Sequence, residues 1–180
     1  NAPAMGWLFV KRRMASELGS DWQKKFKKFE HDAAAAASLG QVHHAETKSG
    51  AKLACKLQYP DMQSAVEADL RQLKIIFAVY RRYDKAVDPH EIHSEVTARL
   101  REELDYKREA AHMMLYGNML ADEKNVHVPK PFPDLSTDRL LAMSWLEGEN
   151  LLTVKGAAQK KRDQVAQNLF RADNTAVGIV

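Results

Sequence analysis

Residues 33–37 are five consecutive alanines, and the chain continues as Ser38-Leu39-Gly40-Gln41-Val42-His43. Lys56 follows Ala37 by 19 positions, inside a segment of alternating polar and apolar residues. This order constrains the fold more than any other stretch. It fits a hairpin in which a first strand enters a small-residue loop, a second strand leaves it, and a third carries a lysine back toward the loop. Such loops are usually glycine-rich, because glycine lets backbone N–H groups approach phosphate oxygens closely. Alanine keeps the loop narrow but makes it stiffer and more helix-prone. The plain alternative is a helix capped by Asp32 and built from the strongest helix former.

The strand reading rests on period-two patterns. Val42–Ala45 and Lys52–Gln58 are expected as two strands around a Ser49-Gly50 turn. In the second, Leu53, Cys55 and Leu57 share one face, and Ala54, Lys56 and Gln58 share the other. An alternating lysine by itself is most simply a solvent-facing residue.

Around this unit the chain reads as largely helical. Trp22, Phe26 and Phe29 are spaced four and three apart among Lys24, Lys25, Lys27 and Lys28, which predicts one face of an amphipathic helix in an N-terminal segment, residues 1–30. Its basic and aromatic faces suit either a membrane surface or, more simply, packing on its own domain. Asp61 can cap a helix carrying Leu70, Leu73, Phe77 and Tyr80. Asp88-Pro89 opens a long helix with Ile92, Val96, Leu100, Leu104, Ala111 and Leu115 at spacings of four and seven. On its exposed side, pairs such as Arg101–Asp105 and Glu103–Lys107 are expected. Val126–Pro133 reads as extended, Arg139–Gly148 as a buried strand with its exit, and residues 155–172 as a final helix with Val165 and Leu169 inward.

The wording Ala-Ala-Ala-Ser-Leu-Gly-Gln-Val-His resembles the alanine-rich loop of the UbiB (AarF) family of atypical protein-kinase-like proteins. Leu53-Ala54-Cys55-Lys56 resembles the kinase Val-Ala-x-Lys strand. Glu103-Leu104-Asp105 followed by Arg108-Glu109-Ala110 resembles the family's Glu-x-Asp signature and its αC-type glutamate. The resemblance covers about residues 28–150 and implies an α+β fold: a protein-kinase-like small lobe with a short antiparallel sheet and inserted long helices. It implies small lobe and hinge over 31–150, and the start of a large lobe, cut short, over 151–180. Implied site residues are Lys56 on the nucleotide phosphates, Glu109 on Lys56, and Glu103 and Asp105 beside them. Ala35, Ala36, Ala37 and Ser38 would cover the phosphates, and backbone near Met143, Trp145 and Leu146 would meet adenine. The implied cofactor is ATP, with Mg²⁺ in the intact parent. The implied setting is ubiquinone biosynthesis and isoprenoid-lipid handling at a membrane.

Helix geometry adds a constraint of its own. At about 100° per residue, Asp105 and Glu109 lie about 40° apart, whereas Glu103 points about 160° from Asp105. A regular helix cannot aim all three carboxylates at one ligand. Either Glu103 makes a separate contact or the helix is distorted there.

The family pattern is also incomplete. Asp163 and Asp173 are the aspartates beyond residue 150, and neither stands in a His-Gly-Asp or Asp-Phe-Gly setting. Ser144 replaces a glutamate common after Met143, and no Lys-x-Gly-Gln motif precedes the alanines. Asn1-Ala2 reads as a tag scar or the edge of a longer protein. The expectation is therefore a nucleotide-binding half of a kinase or ATPase, catalytically incompetent as it stands.

Composition narrows the alternatives. The 180 residues are 45% hydrophobic, enough for one core, and a net charge of +3 is too mild to predict nucleic-acid binding. One cysteine, Cys55, excludes an internal disulfide or a cysteine-based zinc cluster, which predicts a reducing, cytoplasmic setting. No apolar run spans a bilayer, so membrane association would be peripheral. The competing function is a non-enzymatic scaffold docking on a membrane or protein through its helices.

Overall fold

The computed structural model describes residues 5–80 and 89–177. Helix α1 (Trp7–Leu18) leads through a 3₁₀ turn at Trp22–Lys25 into four strands and four further helices. The strands are β1 (Phe26–Ala37), β2 (Gly40–Thr47), β3 (Lys52–Gln58) and β4 (Leu140–Ser144), forming one antiparallel sheet in chain order. Between β3 and β4 come α2 (Met62–Tyr80), α3 (Pro89–Glu103) and α4 (Tyr106–Met119); α5 (Gln159–Val177) follows the sheet. The α+β architecture with a short antiparallel sheet and long inserted helices is as expected.

The alternation in β3 decides which side each layer covers. Leu53, Cys55 and Leu57 are fully buried and meet Val10 and Met14 of α1, together with Leu140 and Ala142 of β4. Burial pushes the Cys55 thiol up to about 12, so it packs as a small apolar group. Helix α1 ends at Gly19, whose φ of +94° suits glycine and whose N–H bonds the Ala15 carbonyl. Glu17 ties that end down, accepting from Thr137 Oγ1 at 2.6 Å beside Arg13. The N-terminal helix thus packs on its own domain.

Two expectations about the N-terminal half are corrected. Trp22, Phe26 and Phe29 do not share a helix: Trp22 lies in the 3₁₀ turn, and both phenylalanines lie in β1. Their odd spacing is reconciled by register shifts in β1, between Phe26 and Lys28 and again either side of Ala33. These bulges bring Trp22, Phe26 and Phe29 into mutual edge-to-face contact, with ring centroids 5.2–6.1 Å apart. The alanines are neither loop nor helix. Ala33–Ala37 extend β1, and the turn is only Ser38-Leu39, since Ala37 already pairs with Gly40. Pairing with β2 supplies backbone partners that outweigh alanine's helix propensity.

Gly40 has a steric reason. A Cβ there would collide with the Leu57 carbonyl of β3, so no other residue lets β2 begin so close to its neighbour. The β2–β3 turn follows the expected Ser49-Gly50, with Gly50 at φ +89°. Within β2, buried His43 donates from Nδ1 to the Glu30 carbonyl at 2.9 Å and accepts at Nε2 from Gln41 at 2.8 Å. Gln41 also bonds both backbone groups of Met5.

The long helix expected after Pro89 is two helices. Asp88, read as its start signal, lies outside the described residues. The break at Leu104-Asp105 changes the phase, so Ala111 and Leu115 face outward while Tyr106 and Leu120 are buried. The expected Arg101–Asp105 and Glu103–Lys107 pairs give way to longer-range ones. Arg101 bonds Glu67 of α2 at 2.9 Å, and Lys107 meets Asp138 at 2.8 Å. His93 of α3 also donates to the Leu70 carbonyl of α2. At the C-terminal side, residues 151–156 form 3₁₀ turns and the helix begins at Gln159, not residue 155; Val165 is half-buried and Leu169 exposed.

Candidate functional site

β3 is flanked on both sides, by β2 and β4, so its backbone is held and its front-face side chains have fixed origins. Lys56 sits between Val42 and Leu141 in the register. Its ammonium leaves the sheet toward α4 and donates to both oxygens of Glu109, at 2.8 and 2.7 Å. The lysine side chain is 16% exposed and the glutamate 36%. Beneath them the Tyr106 ring is buried, its centroid 4.7 Å from the Lys56 nitrogen, a cation–π distance. Burial above all, then the charges of Glu109 and Glu103, pushes the Tyr106 hydroxyl well above its ordinary range, so it stays protonated.

Glu109 is aimed by the start of α4. Asp105 takes the N-cap position and accepts from the Arg108 N–H at 3.0 Å, the ordinary role of aspartate at a helix start. It therefore does not compete for Lys56. Glu103, at the end of α3, points instead to the β1–β2 turn, where Ser38 Oγ lies 3.5 Å from Oε2. The helix break thus separates the three carboxylates that a regular helix could not converge: Glu109 takes the lysine, Asp105 the cap, Glu103 the hairpin tip.

An open cavity of about 630 Å³ lies in front of the pair. Lys56, Arg99 and Arg108 line it together with Glu102, Glu103 and Glu109, and His127–Pro129 line it too. Arg108 and Arg99 both reach Glu102, at 2.9 and 3.3 Å. Cations and carboxylates are balanced, so an anionic ligand would enter by exchanging partners with the glutamates. A second cavity of about 670 Å³ shares Met113, Leu120 and His127–Pro129 with the first and reaches Ser144 and Leu146.

The other expected site residues are distributed along this frame. Ala35 and Ala36 are exposed on β1, Ala37 closes its end, and Ser38 heads the turn. Met143 pairs with Ala54 in β4. The N–H groups of Ser144 and Trp145 are already given to the Lys130 and Lys52 carbonyls, and the Trp145 ring stands edge-on to His44. Leu146 is exposed, and its N–H has no partner among the described residues. Among the described residues no three His, Cys, Asp or Glu side chains converge as metal ligands would.

Sequence reasoning missed Tyr106, Gln58, Arg99 and Arg108. Gln58 Nε2 donates to the Leu104 carbonyl at 3.1 Å, in the break itself. Its signal was visible, since it is the second polar residue on the Lys56 face of β3. Arg99 gave none, because it reads as an ordinary exposed helix residue, and Arg108 entered only as the first residue of the Arg-Glu-Ala motif, with no role of its own.

Comparison with known proteins gives concordant results. A family model described as the ABC1 atypical kinase-like domain matches residues 1–177. The chain is 32% identical over 162 residues to the atypical kinase COQ8, mitochondrial, of Saccharomyces cerevisiae, covering 90% of this chain and 32% of that protein. It is also 32% identical over 158 residues to the mitochondrial atypical kinase COQ8B of Rattus norvegicus, covering 88% and 30%. A solved structure, the Rv3197–erythromycin complex from Mycobacterium tuberculosis, superposes with a TM-score of 0.81 at 28% identity, over 91% of this chain and 42% of that one. The chain spans about a third of the length of these two curated relatives.

Proposed function

The chain belongs to the ABC1 atypical kinase-like family, and on that premise we propose that its Lys56–Glu109 pair and hairpin turn hold the phosphates of an adenine nucleotide. The observation that carries this reading is the doubly hydrogen-bonded Lys56–Glu109 pair at the edge of an open cavity. Lys56 offers a fixed positive charge to two phosphate groups, and Glu109 keeps it extended until they arrive. Ser38 and the backbone of the β1–β2 turn close over the phosphates, as the small side chains of Ala35–Ala37 allow. The Leu146 N–H is the available donor for an adenine edge. Mg²⁺ would screen the phosphates, and no residue of this chain is assigned to it.

In an intact parent the same site would serve a phosphoryl-transferring kinase or ATPase linked to ubiquinone biosynthesis. For this chain alone we propose nucleotide binding without turnover, with an affinity on the order of 1 mM, because one wall of the cleft provides few contacts. Titration calorimetry with ATP and ADP, with and without Mg²⁺, tests this. Heat of binding that disappears in Lys56→Met supports the reading; equal affinity in wild type and Lys56→Met overturns it.

A second reading has one observation behind it. Ile75, Ile76 and Val79 are exposed on α2 beside Arg71 and Lys74. That mixture suits peripheral contact with an anionic membrane, consistent with isoprenoid-lipid handling. No helix among the described residues is long and apolar enough to cross one. Flotation with anionic vesicles checks it: Ile75→Ser/Ile76→Ser should remain in the soluble fraction, and unchanged flotation would remove the assignment.

A further inference from the structure

We propose that Gln58 is a positioning residue that sets Glu109 against Lys56 by holding the break between α3 and α4; this rests on the nucleotide-phosphate reading above and extends it. In an unbroken helix the Leu104 carbonyl would accept the N–H of Arg108, four residues on. Here that N–H is taken by the Asp105 side chain at 3.0 Å. The Leu104 carbonyl is thereby released, and the Gln58 amide supplies the missing donor at 3.1 Å. The donor and the acceptor of one lost helical bond are each satisfied by a different side chain. Asp105 does so from within the helix, and Gln58 does so from the sheet.

The consequence for Glu109 is geometric. Lys56 and Gln58 stand two residues apart on one face of β3, about 6.6 Å along the strand. Leu104 lies in the break, and Glu109 lies in the first turn of α4, which begins two residues after Leu104. Two cross-links therefore join β3 to the start of α4, Gln58 to Leu104 and Lys56 to Glu109. Gln58 is 2% exposed, so water cannot readily replace its bond. The ion pair is more open, and water and salt compete for it. The buried link fixes the helix start, and the ion pair reads out where that start lies. A glutamine retained only to satisfy a buried polar group would influence the whole fold equally; a positioning residue acts on the first turn of α4.

The test uses the chain as it stands, with Gln58→Met, which keeps the volume and removes the donor. Gln58→Asn, one methylene short of Leu104, serves if the methionine variant does not fold. Ser136→Ala is the control, because Ser136 bonds the backbone of Phe132 and Ala142 away from α4. Three quantities are read: amide hydrogen exchange, acylation of the Lys56 amine by an amine-reactive ester, and ATP affinity. Expected in the Gln58 variants are exchange about tenfold faster over residues 107–110 with β2 and β3 unchanged, and faster acylation of Lys56. ATP binding should weaken about fivefold, while the serine control changes none of these selectively. Exchange rising equally in α4 and the sheet, or Lys56 acylation at the wild-type rate, would overturn the proposal. Lys56→Met separates the two claims. If it leaves ATP affinity unchanged, the nucleotide reading falls, while exchange and acylation still decide the role of Gln58.

Discussion

The two faces of β3 differ in every physical respect except their backbone. Toward α1, Leu53, Cys55 and Leu57 are completely buried among Val10, Met14, Leu140 and Ala142, without a charge. Toward α4, Lys56 and Gln58 meet a carboxylate, a tyrosine ring and a released carbonyl beside an open cavity. Period-two geometry lets seven residues hold the fold with one set of side chains and present chemistry with the other. The contrast implies that changes on the α1 face should move stability and leave ligand affinity alone, and that changes on the α4 face should do the reverse.

The largest effect is expected on the α1 face. Leu57→Ala should lower stability by about 3 kcal/mol, combining lost burial with a cavity. Urea denaturation measures it, and calorimetry on the folded fraction should show ATP affinity unchanged. A loss below about 1 kcal/mol would mean that α1 collapses onto the gap and the face is not tightly packed.

Gly40→Ala comes next, at about 2 kcal/mol, because the added methyl meets backbone and not a movable side chain. The strain arises where β2 begins against β3, close to the phosphate-facing turn, so this substitution tests whether the two faces are separable at their shared end. Stability should fall and nucleotide affinity should fall with it. A stable Gly40→Ala protein would show that β2 can move away from the Leu57 carbonyl.

What the sequence disclosed follows the same division. The β2–β3 hairpin and the Lys56 face were legible because alternation runs unbroken through Lys52–Gln58. β1 was not, because its bulges place Phe26 and Phe29, an odd number apart, on one side and so imitate helical spacing. The α3–α4 break was only half legible. Apolar spacings of four and seven pass through it, and the angular conflict among Glu103, Asp105 and Glu109 was its sole local sign. The Leu104 carbonyl in the break is met by Gln58, 46 residues earlier, and although Gln58 stood out on the Lys56 face, no local pattern pairs it with Leu104.

A third prediction concerns pH. His43 is held below its ordinary pKa, mainly by burial and slightly by His31, with the Glu30 carbonyl and Asp32 acting oppositely. A lowered folded pKa means that the unfolded chain binds the proton more readily. Stability is therefore whole above the unfolded value of about 6.5 and declines as pH falls below it. One proton limits the slope to about 1.4 kcal/mol per pH unit. His43→Gln should flatten that part of the profile between about pH 6.5 and 5. Denaturation midpoints that fall in parallel for both proteins would assign the acid sensitivity elsewhere.

The smallest stability effect belongs to the pair on which the functional reading depends. Glu109→Gln keeps the length of the side chain, removes its charge and replaces one of the two oxygens that accept from Lys56 with an NH2 donor. Because both partners have solvent access, the ion pair contributes below about 1 kcal/mol to folding, and the denaturation midpoint should barely move. Its importance lies in direction: without the carboxylate, the Lys56 ammonium keeps one neutral acceptor and the Tyr106 ring, and its four-carbon stem regains rotational freedom. Nucleotide would then have to order the lysine on binding, so affinity should drop several-fold while stability stays level. This is the opposite pattern to Leu57→Ala. If instead Glu109→Gln lost stability as Leu57→Ala does and bound ATP as wild type does, the α4 face would be a second structural face, and the division of β3 between packing and chemistry would fail.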